Sequence, residues 1–166
     1  MKPFAIDAFD FGRLKEQREG EIPVAELPRL VKECVDSSGV LHWTLKGGVH
    51  ASGHPELNMQ VTGAVQLVCQ RCLQPFSFAI DADSTLVLAQ DEEQADEIEA
   101  SLDDEGIDVI VGSKAMNVID LIEDEALLAI PQAPKHAACS GEGAAGSAES
   151  IVVKPSPFAA LKNLKH

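Results

Sequence analysis

The sequence predicts an α+β fold: an antiparallel sheet with barrel-like closure open to it, flanking helices, and a disordered, partly helical C-terminal tail. Three patterns carry that reading. Apolar and polar residues alternate from Val40 to Val49 and again from Leu57 to Ile80, the period of half-buried strands. Apolar residues recur at helical spacing before the first run and after the second. A Gly/Ala/Ser/Glu-rich stretch from Ser140 to Ser150 then separates off the C-terminal residues as linker.

Each element follows in order. The stretch to Gly20 mixes both charges (Arg13, Lys15, Glu16, Arg18, Glu19) and opens with Phe4, Ile6 and Phe9. Ile22-Pro23-Val24 suits a short strand. Leu27, Leu30, Val31 and Cys34 fall at helical spacing, and Pro28 is tolerated in a first turn, so a helix is expected from about Ala25 to Val35. Cys34 then lies on its buried side as a core thiol. Leu41, Trp43 and Leu45 give the next strand one buried face, and Gly47-Gly48 with Ser52-Gly53-His54-Pro55 marks a turn region. In the long strand that follows, Leu57, Met59, Val61, Val65, Leu67 and Cys69 share a face, with Gly63 in register as a bend. Asn58, Gln60, Thr62 and Gln66 face the other way. Alternation resumes after Pro75 with Phe76, Phe78 and Ile80, which puts Cys69 and Cys72 at a hairpin tip.

Leu86-Val87-Leu88 ends that strand pair, and residues 91–105 are expected as a long acidic loop. Ile107 to Val111 is a further short strand. Asn117 is placed to cap a helix running through Val118, Leu121, Ile122, Leu128 and Ile130, with Asp120, Glu123 and Asp124 outward. Acids in its first turn suit the helix dipole, and Pro131 stops it. One domain is expected over 1–139, followed over 140–166 by a flexible linker and a short helix that aligns Phe158, Leu161 and Leu164.

Composition narrows the function class. A chain of 166 residues with 45% hydrophobic residues can bury a core of its own. No stretch approaches the roughly 18 consecutive apolar residues of a membrane span, and the start Met1-Lys2-Pro3-Phe4-Ala5-Ile6-Asp7 lacks the apolar region of a signal peptide. A cytoplasmic location is therefore expected, where thiols stay reduced and the four cysteines read as metal ligands or buried thiols. The net charge of −14 repels a phosphate backbone unless a basic patch is set apart. With no Tyr and few other aromatics, stacking platforms for single-stranded nucleic acid are scarce.

The charge is also uneven. Nine acids and no base lie between Asp91 and Glu105, so that segment carries −9 and the rest of the chain −5. Such a run usually means a solvated loop; the sharper reading is a docking surface for a basic protein. The residues from Ile151 to His166 hold Lys154, Lys162 and Lys165 and no acid. Walker A, GxGxxG, HExxH and GxSxG signatures are absent, which favours a binding or assembly protein over an enzyme.

Cys69-Gln70-Arg71-Cys72 and His136-Ala137-Ala138-Cys139 each leave two residues between ligand-type side chains. Together they offer the four donors of a structural tetrahedral zinc site. The hairpin tip suits a zinc knuckle. A thioredoxin-type redox pair instead needs its first Cys at a helix start, and here Pro75 and a strand pattern follow. Two alternatives stand beside the zinc reading. Cys69 and Cys72 can be reduced thiols on a turn, and His50 with His54 forms a rival second pair of ligands. Arg71, Lys46, Lys162 and Lys165 are the candidate contacts for RNA or protein.

Three segments together resemble one bacterial family. They are Val61-Thr62-Gly63 through Leu67-Val68-Cys69-Gln70-Arg71-Cys72 to Pro75-Phe76; Ile119-Asp120-Leu121-Ile122-Glu123-Asp124-Glu125 through Leu127-Leu128-Ala129-Ile130-Pro131, Pro134, His136 and Cys139; and Lys154-Pro155-Ser156-Pro157-Phe158-Ala159-Ala160-Leu161. In this order they look like the YceD family, the large ribosomal RNA subunit accumulation proteins. The resemblance implies a role in synthesis, processing or stability of 23S ribosomal RNA, hence in ribosome biogenesis, with no enzymatic activity. It implies as partner a small basic zinc-ribbon protein of the large subunit or the pre-ribosomal 23S RNA itself; from the residues, no membrane and no small-molecule substrate are expected. It also places the family's Cys pair on Cys69 and Cys72 and its His and Cys on His136 and Cys139, with a His-to-Cys spacing that is short here. The charge argues for action through protein, with a direct RNA-binding zinc-knuckle module as the alternative and a thiol oxidoreductase as a more remote one.

Overall fold

The computed structural model describes residues 4–103 and 106–139. A two-residue strand β1 (Ala5–Ile6) leads into helix α1 (Ala8–Arg13), neither of which the sequence patterns predict. The Asp7 carboxylate caps α1 by accepting the backbone N–H of Phe9 and of Asp10, both at 3.1 Å. The next strand, β2, spans Gln17–Pro23. The helix expected over residues 25–35 is split into a 3-10 turn, Val24–Glu26, and a short helix α2 (Pro28–Glu33). Pro28 explains the split: it has no N–H to donate back along a continuous helix, so it opens a new one.

Three long strands follow where alternation predicts them: β3 (Val40–Val49), β4 (Pro55–Val68) and β5 (Pro75–Ala89). Leu41, Trp43 and Leu45, and Leu57, Met59, Val61, Val65 and Leu67, are all buried. Gly63 keeps β3 and β4 in contact. It lies opposite Leu41 with φ +156°, and a Cβ there would sit 2.7 Å from Leu41 Cδ2 and 2.8 Å from the Val40 carbonyl. Gly63→Ala is therefore expected to lower stability by roughly 1–3 kcal/mol, because the packed strand pair has to shift. The check is a urea midpoint that falls while the m-value holds.

The acidic segment is not a loop. Helix α3 spans Glu92–Ser101, and it returns the chain to β6 (Ile107–Val111), which pairs parallel with β5. Three causes make the run helical. Asp91 accepts the Gln94 N–H at 2.8 Å, and Gln94 Oε1 accepts the Gln90 N–H at 2.8 Å, a near capping box. Glu92 and Glu93 in the first turn oppose the positive end of the helix dipole. Ala95 and Ile98 then bury against Val87 and Ala89, with Leu102, Ile107 and Val109 alongside.

Strand β7 (Met116–Asn117) pairs with β1, and helix α4 (Val118–Ala129) starts on the expected Asn117 cap, whose side chain accepts the Ile119 N–H at 3.1 Å. The main sheet runs β2-β3-β4-β5-β6, antiparallel except for the β5–β6 pair. It is open, with β2 and β6 as edges, so the α+β expectation holds while the anticipated barrel-like closure is not seen among the described residues. The main core, on one face of the sheet, includes Phe11 from α1, Leu30 from α2 and Ile122 from α4, whereas α3 covers the β5–β6 end of the other face.

Two assignments on α4 are corrected. Leu128, expected inward, is 78% exposed, because the buried stripe runs through Val118, Ile122, Glu125 and Ala126 and leaves Leu128 on the far side. Glu123, expected outward, is 2% exposed. Its carboxylate accepts the backbone N–H groups of Arg29 and Leu30, the latter at 3.0 Å, and the Arg29 Nε–H at 2.7 Å. Helix α2 has no capping side chain of its own, and Glu123 supplies the missing acceptor from another element. The expected linker and terminal helix, with Phe158, Leu161 and Leu164, lie outside the described residues.

Candidate metal centre

The hairpin between β4 and β5 ends in a compact knuckle. Cys69 N–H donates to the Gln74 carbonyl at 2.9 Å, and Leu73 N–H donates to the Cys69 carbonyl at 2.8 Å. Leu73 takes φ +59°, the left-handed conformation that closes the turn, and its side chain is 70% exposed. The segment after α4 folds back onto this knuckle. Gln70 N–H reaches the Pro134 carbonyl at 2.8 Å, and the His136 ring lies 4.7 Å from that of Phe76, centroid to centroid.

This fold-back brings Cys69, Cys72, His136 and Cys139 together, their donor atoms all within 4.8 Å of one another. Cys69 Sγ and Cys139 Sγ are 3.7 Å apart, Cys72 Sγ and His136 Nδ1 3.3 Å, and Cys139 Sγ and His136 Nδ1 3.8 Å. With Zn–S near 2.3 Å and Zn–N near 2.0–2.1 Å, the edges of a tetrahedral zinc site come to about 3.5–3.8 Å. A disulfide would need about 2.05 Å between sulfurs, so the 3.7 Å pair is not one. The donors are spaced as ligands around a cation, and this Cys3His group is able to hold a metal ion.

The electrostatics agree. Burial pushes the Cys69 thiol up, but backbone N–H groups of Cys72, His136 and Arg71, together with the His136 side chain, outweigh it and bring the value down to about 5. The Arg71 and His136 N–H groups stand 3.4 and 3.5 Å from Cys69 Sγ. Such N–H···S contacts stabilise a thiolate, the ligand form of cysteine. Cys139 moves the other way. Burial raises its thiol, and the neighbouring Cys69 and Cys72 raise it further, as expected where several sulfurs crowd together.

The rival histidines are elsewhere. His50 and His54 close the β3–β4 turn, where the His50 N–H donates to the His54 carbonyl at 2.9 Å. That turn is at the opposite end of the 14-residue β4 from the knuckle, roughly 45 Å away along the strand. Cys34 is half-buried at the edge of the main core and is not among the clustered donors. Burial, then Asp36 and Glu33, hold its thiol above the ordinary value.

The candidate contact residues are not gathered into one patch. Arg71 is exposed at the knuckle tip. Lys46 pairs across β3–β4 with Asn58, roughly 30 Å along the strand from the knuckle. It lies close enough to Asp83 to help, after Gln60 and Asn58, hold that carboxyl below its usual range. Lys162 and Lys165 lie outside the described residues. Sequence reasoning also misses the acidic helix as a helix, although Asp91-Glu92-Glu93-Gln94 carries a capping signature that was there to be read.

Comparison with known proteins adds three findings. The family model described as "Large ribosomal RNA subunit accumulation protein YceD" matches residues 57–165, a stretch that contains all four clustered donors. The chain is 27% identical over 172 residues to the large ribosomal RNA subunit accumulation protein YceD of Haemophilus influenzae, an alignment that covers 98% of this chain and 95% of that protein. No solved structure matches.

Proposed function

The chain belongs to the YceD family of large ribosomal RNA subunit accumulation proteins, and on that premise we propose that it is a cytoplasmic ribosome-biogenesis factor supporting the synthesis, processing or stability of 23S ribosomal RNA. YceD-family proteins are not known enzymes, and the part proposed here is an assembly part. The observation that supports it most is the family match across residues 57–165, which takes in the knuckle, the acidic helix and α4.

Cys69, Cys72, His136 and Cys139 hold one structural zinc ion. Four protein donors leave no open position for water or substrate, so the ion fastens the segment after α4 to the β4–β5 knuckle and performs no chemistry. Arg71 and Leu73 are thereby presented on a rigid tip.

Action is mainly through protein. The exposed side of α3 carries Glu92, Glu93, Asp96, Glu97 and Glu99, and no basic residue lies between Asp91 and Glu105. That field suits a small basic protein of the large subunit and repels an RNA backbone. The test replaces Glu92, Glu93, Glu97 and Glu99 with Gln and Asp96 with Asn, keeping Asp91 so that the helix stays capped. Tagged wild-type chain is expected to capture basic large-subunit proteins in 0.1 M salt, and the neutralised chain to lose most of that capture. Unchanged capture would sink this reading. The direct RNA-binding alternative makes the opposite demand: strongly salt-dependent affinity for 23S RNA that Arg71→Glu abolishes.

No helix among the described residues is long and apolar enough to cross a membrane.

A further inference from the structure

The two edges of the main sheet are built differently. β2 is defended in the ways edges usually are, with Arg18, Glu19 and Glu21 along it and Pro23 at its end. β6 has the sequence Ile107-Asp108-Val109-Ile110-Val111, with one charge and no lysine or proline. Although four of its five residues are β-branched and apolar, none is fully buried, and Val111 is 37% exposed. Among the described residues its single hydrogen-bonded neighbour is β5, so none of them occupies the far side of the ladder. An open apolar edge of this kind is a template for another strand.

Both faces beside that edge are acidic. On one face, Ile107 and Val109 pack with α3, whose outer side carries the acids named above. On the other stands Asp108, with the buried Glu125 behind it; burial first, and then the charges of Asp108, Asp124 and Asp83, push the Glu125 carboxyl up against a hydrogen bond from Ser84 that pulls it down. Side chains of an added strand point alternately to the two faces, so basic residues at either set of positions meet acids. A second copy of this chain is disfavoured by the same charges. Antiparallel pairing of β6 with β6 would set two α3 helices side by side on one face of the joined sheet, each from a segment carrying −9.

We propose that the free edge of β6 takes up an extended basic segment of a protein partner as a sixth strand, with α3 and the Asp108 side holding its lysines and arginines. The proposal rests on the reading of α3 as the partner-binding surface and adds the binding mode. It makes β6 the source of main-chain hydrogen bonds and leaves α3 to select for charge.

The probe is a peptide of about eight residues alternating lysine and valine, long enough to span β6, added to the full chain. Its control has the same sequence with every second backbone nitrogen methylated, which keeps the charge and removes strand hydrogen bonds. Hydrogen exchange is expected to slow at alternate amides of residues 107–111 on adding the first peptide. The methylated peptide is expected to bind roughly tenfold more weakly or worse, since two or more hydrogen bonds are lost. Equal binding of both peptides, with protection confined to α3, overturns strand addition and leaves the acidic-helix reading standing. Protection of β6 that survives neutralisation of the α3 acids unchanged overturns the charge selection and the acidic-helix reading with it. Concentration-dependent protection of β6 without peptide would assign the edge to a second copy and overturn the proposal.

Discussion

Cys69→Ser is expected to take the zinc content of the purified chain from one ion to none and to lower its melting temperature by on the order of 10 °C. Removing one of four donors leaves a site that no longer competes for the ion, and metal affinity in such sites is folding free energy. On the proposed zinc site, the ion joins residues 64 apart in sequence, Cys72 and His136, whose donor atoms lie 3.3 Å apart, a cross-link worth about 4 kcal/mol in unfolded-state entropy on the chain-entropy estimate. In a domain of this size that shift in melting temperature corresponds to a few kcal/mol. The loss is directional as well as large. The segment after α4 loses its anchor, while the sheet keeps its core of Leu41, Leu57, Met59 and Val61. Cys34→Ser is the control. Cys34 stands outside the donor cluster, so this variant is expected to keep its zinc. Elemental analysis beside a thermal melt checks both variants.

Glu123→Ala is expected to cost about 2–4 kcal/mol. The carboxylate is buried, and truncation leaves the N–H groups that open α2 without an acceptor, the Leu30 N–H being buried. Arg29 loses its buried partner and keeps Asp124, to which it bonds at 2.6 Å, and its guanidinium is about half exposed, which moderates the loss. Glu123→Gln is expected to cost less, since one oxygen remains to accept from α2. The pH dependence has a definite sign. Burial pushes the Glu123 carboxyl up, but the N–H groups of Leu30 and Arg29 and the Arg29 side chain outweigh it, so the folded-state value lies below the ordinary one. Its contribution is fully present above the ordinary carboxylate range and is lost as pH falls through the depressed value. Wild type is therefore expected to lose more stability on acidification than Glu123→Ala does, which urea titrations at neutral and acid pH measure.

Glu123 also marks where sequence reading stops. Its position on the helix period is a polar one, and nothing in its neighbours says that α2, nearly a hundred residues earlier, lacks a cap. Long-range satisfaction of a helix end leaves no local pattern. The three long strands and the helix on Asn117 were legible because period and cap are local signals, and residues 40–49 and 107–111 were bounded as they stand. The acidic run misled for a different reason. Charge density suggested a solvated loop, whereas two buried residues, Ala95 and Ile98, and a capped first turn are enough to hold ten residues helical. That error carried over to the sheet, because without α3 as a crossover β6 has no reason to pair parallel with β5. For the site, spacing alone left His50 and His54 open as partners, and only the length of β4 separates them from the knuckle.

On the proposed function, this chain supports 23S ribosomal RNA through a protein held by its acidic helix. The most direct measurement is the ratio of 23S to 16S ribosomal RNA in cells depleted of the protein and complemented with wild type, with the chain neutralised at Glu92, Glu93, Asp96, Glu97 and Glu99, or with Arg71→Glu. Wild type and Arg71→Glu are expected to restore the ratio, and the neutralised chain to leave it low. Full restoration by the neutralised chain, with failure of Arg71→Glu, would contradict the claim and point to direct RNA contact at the knuckle.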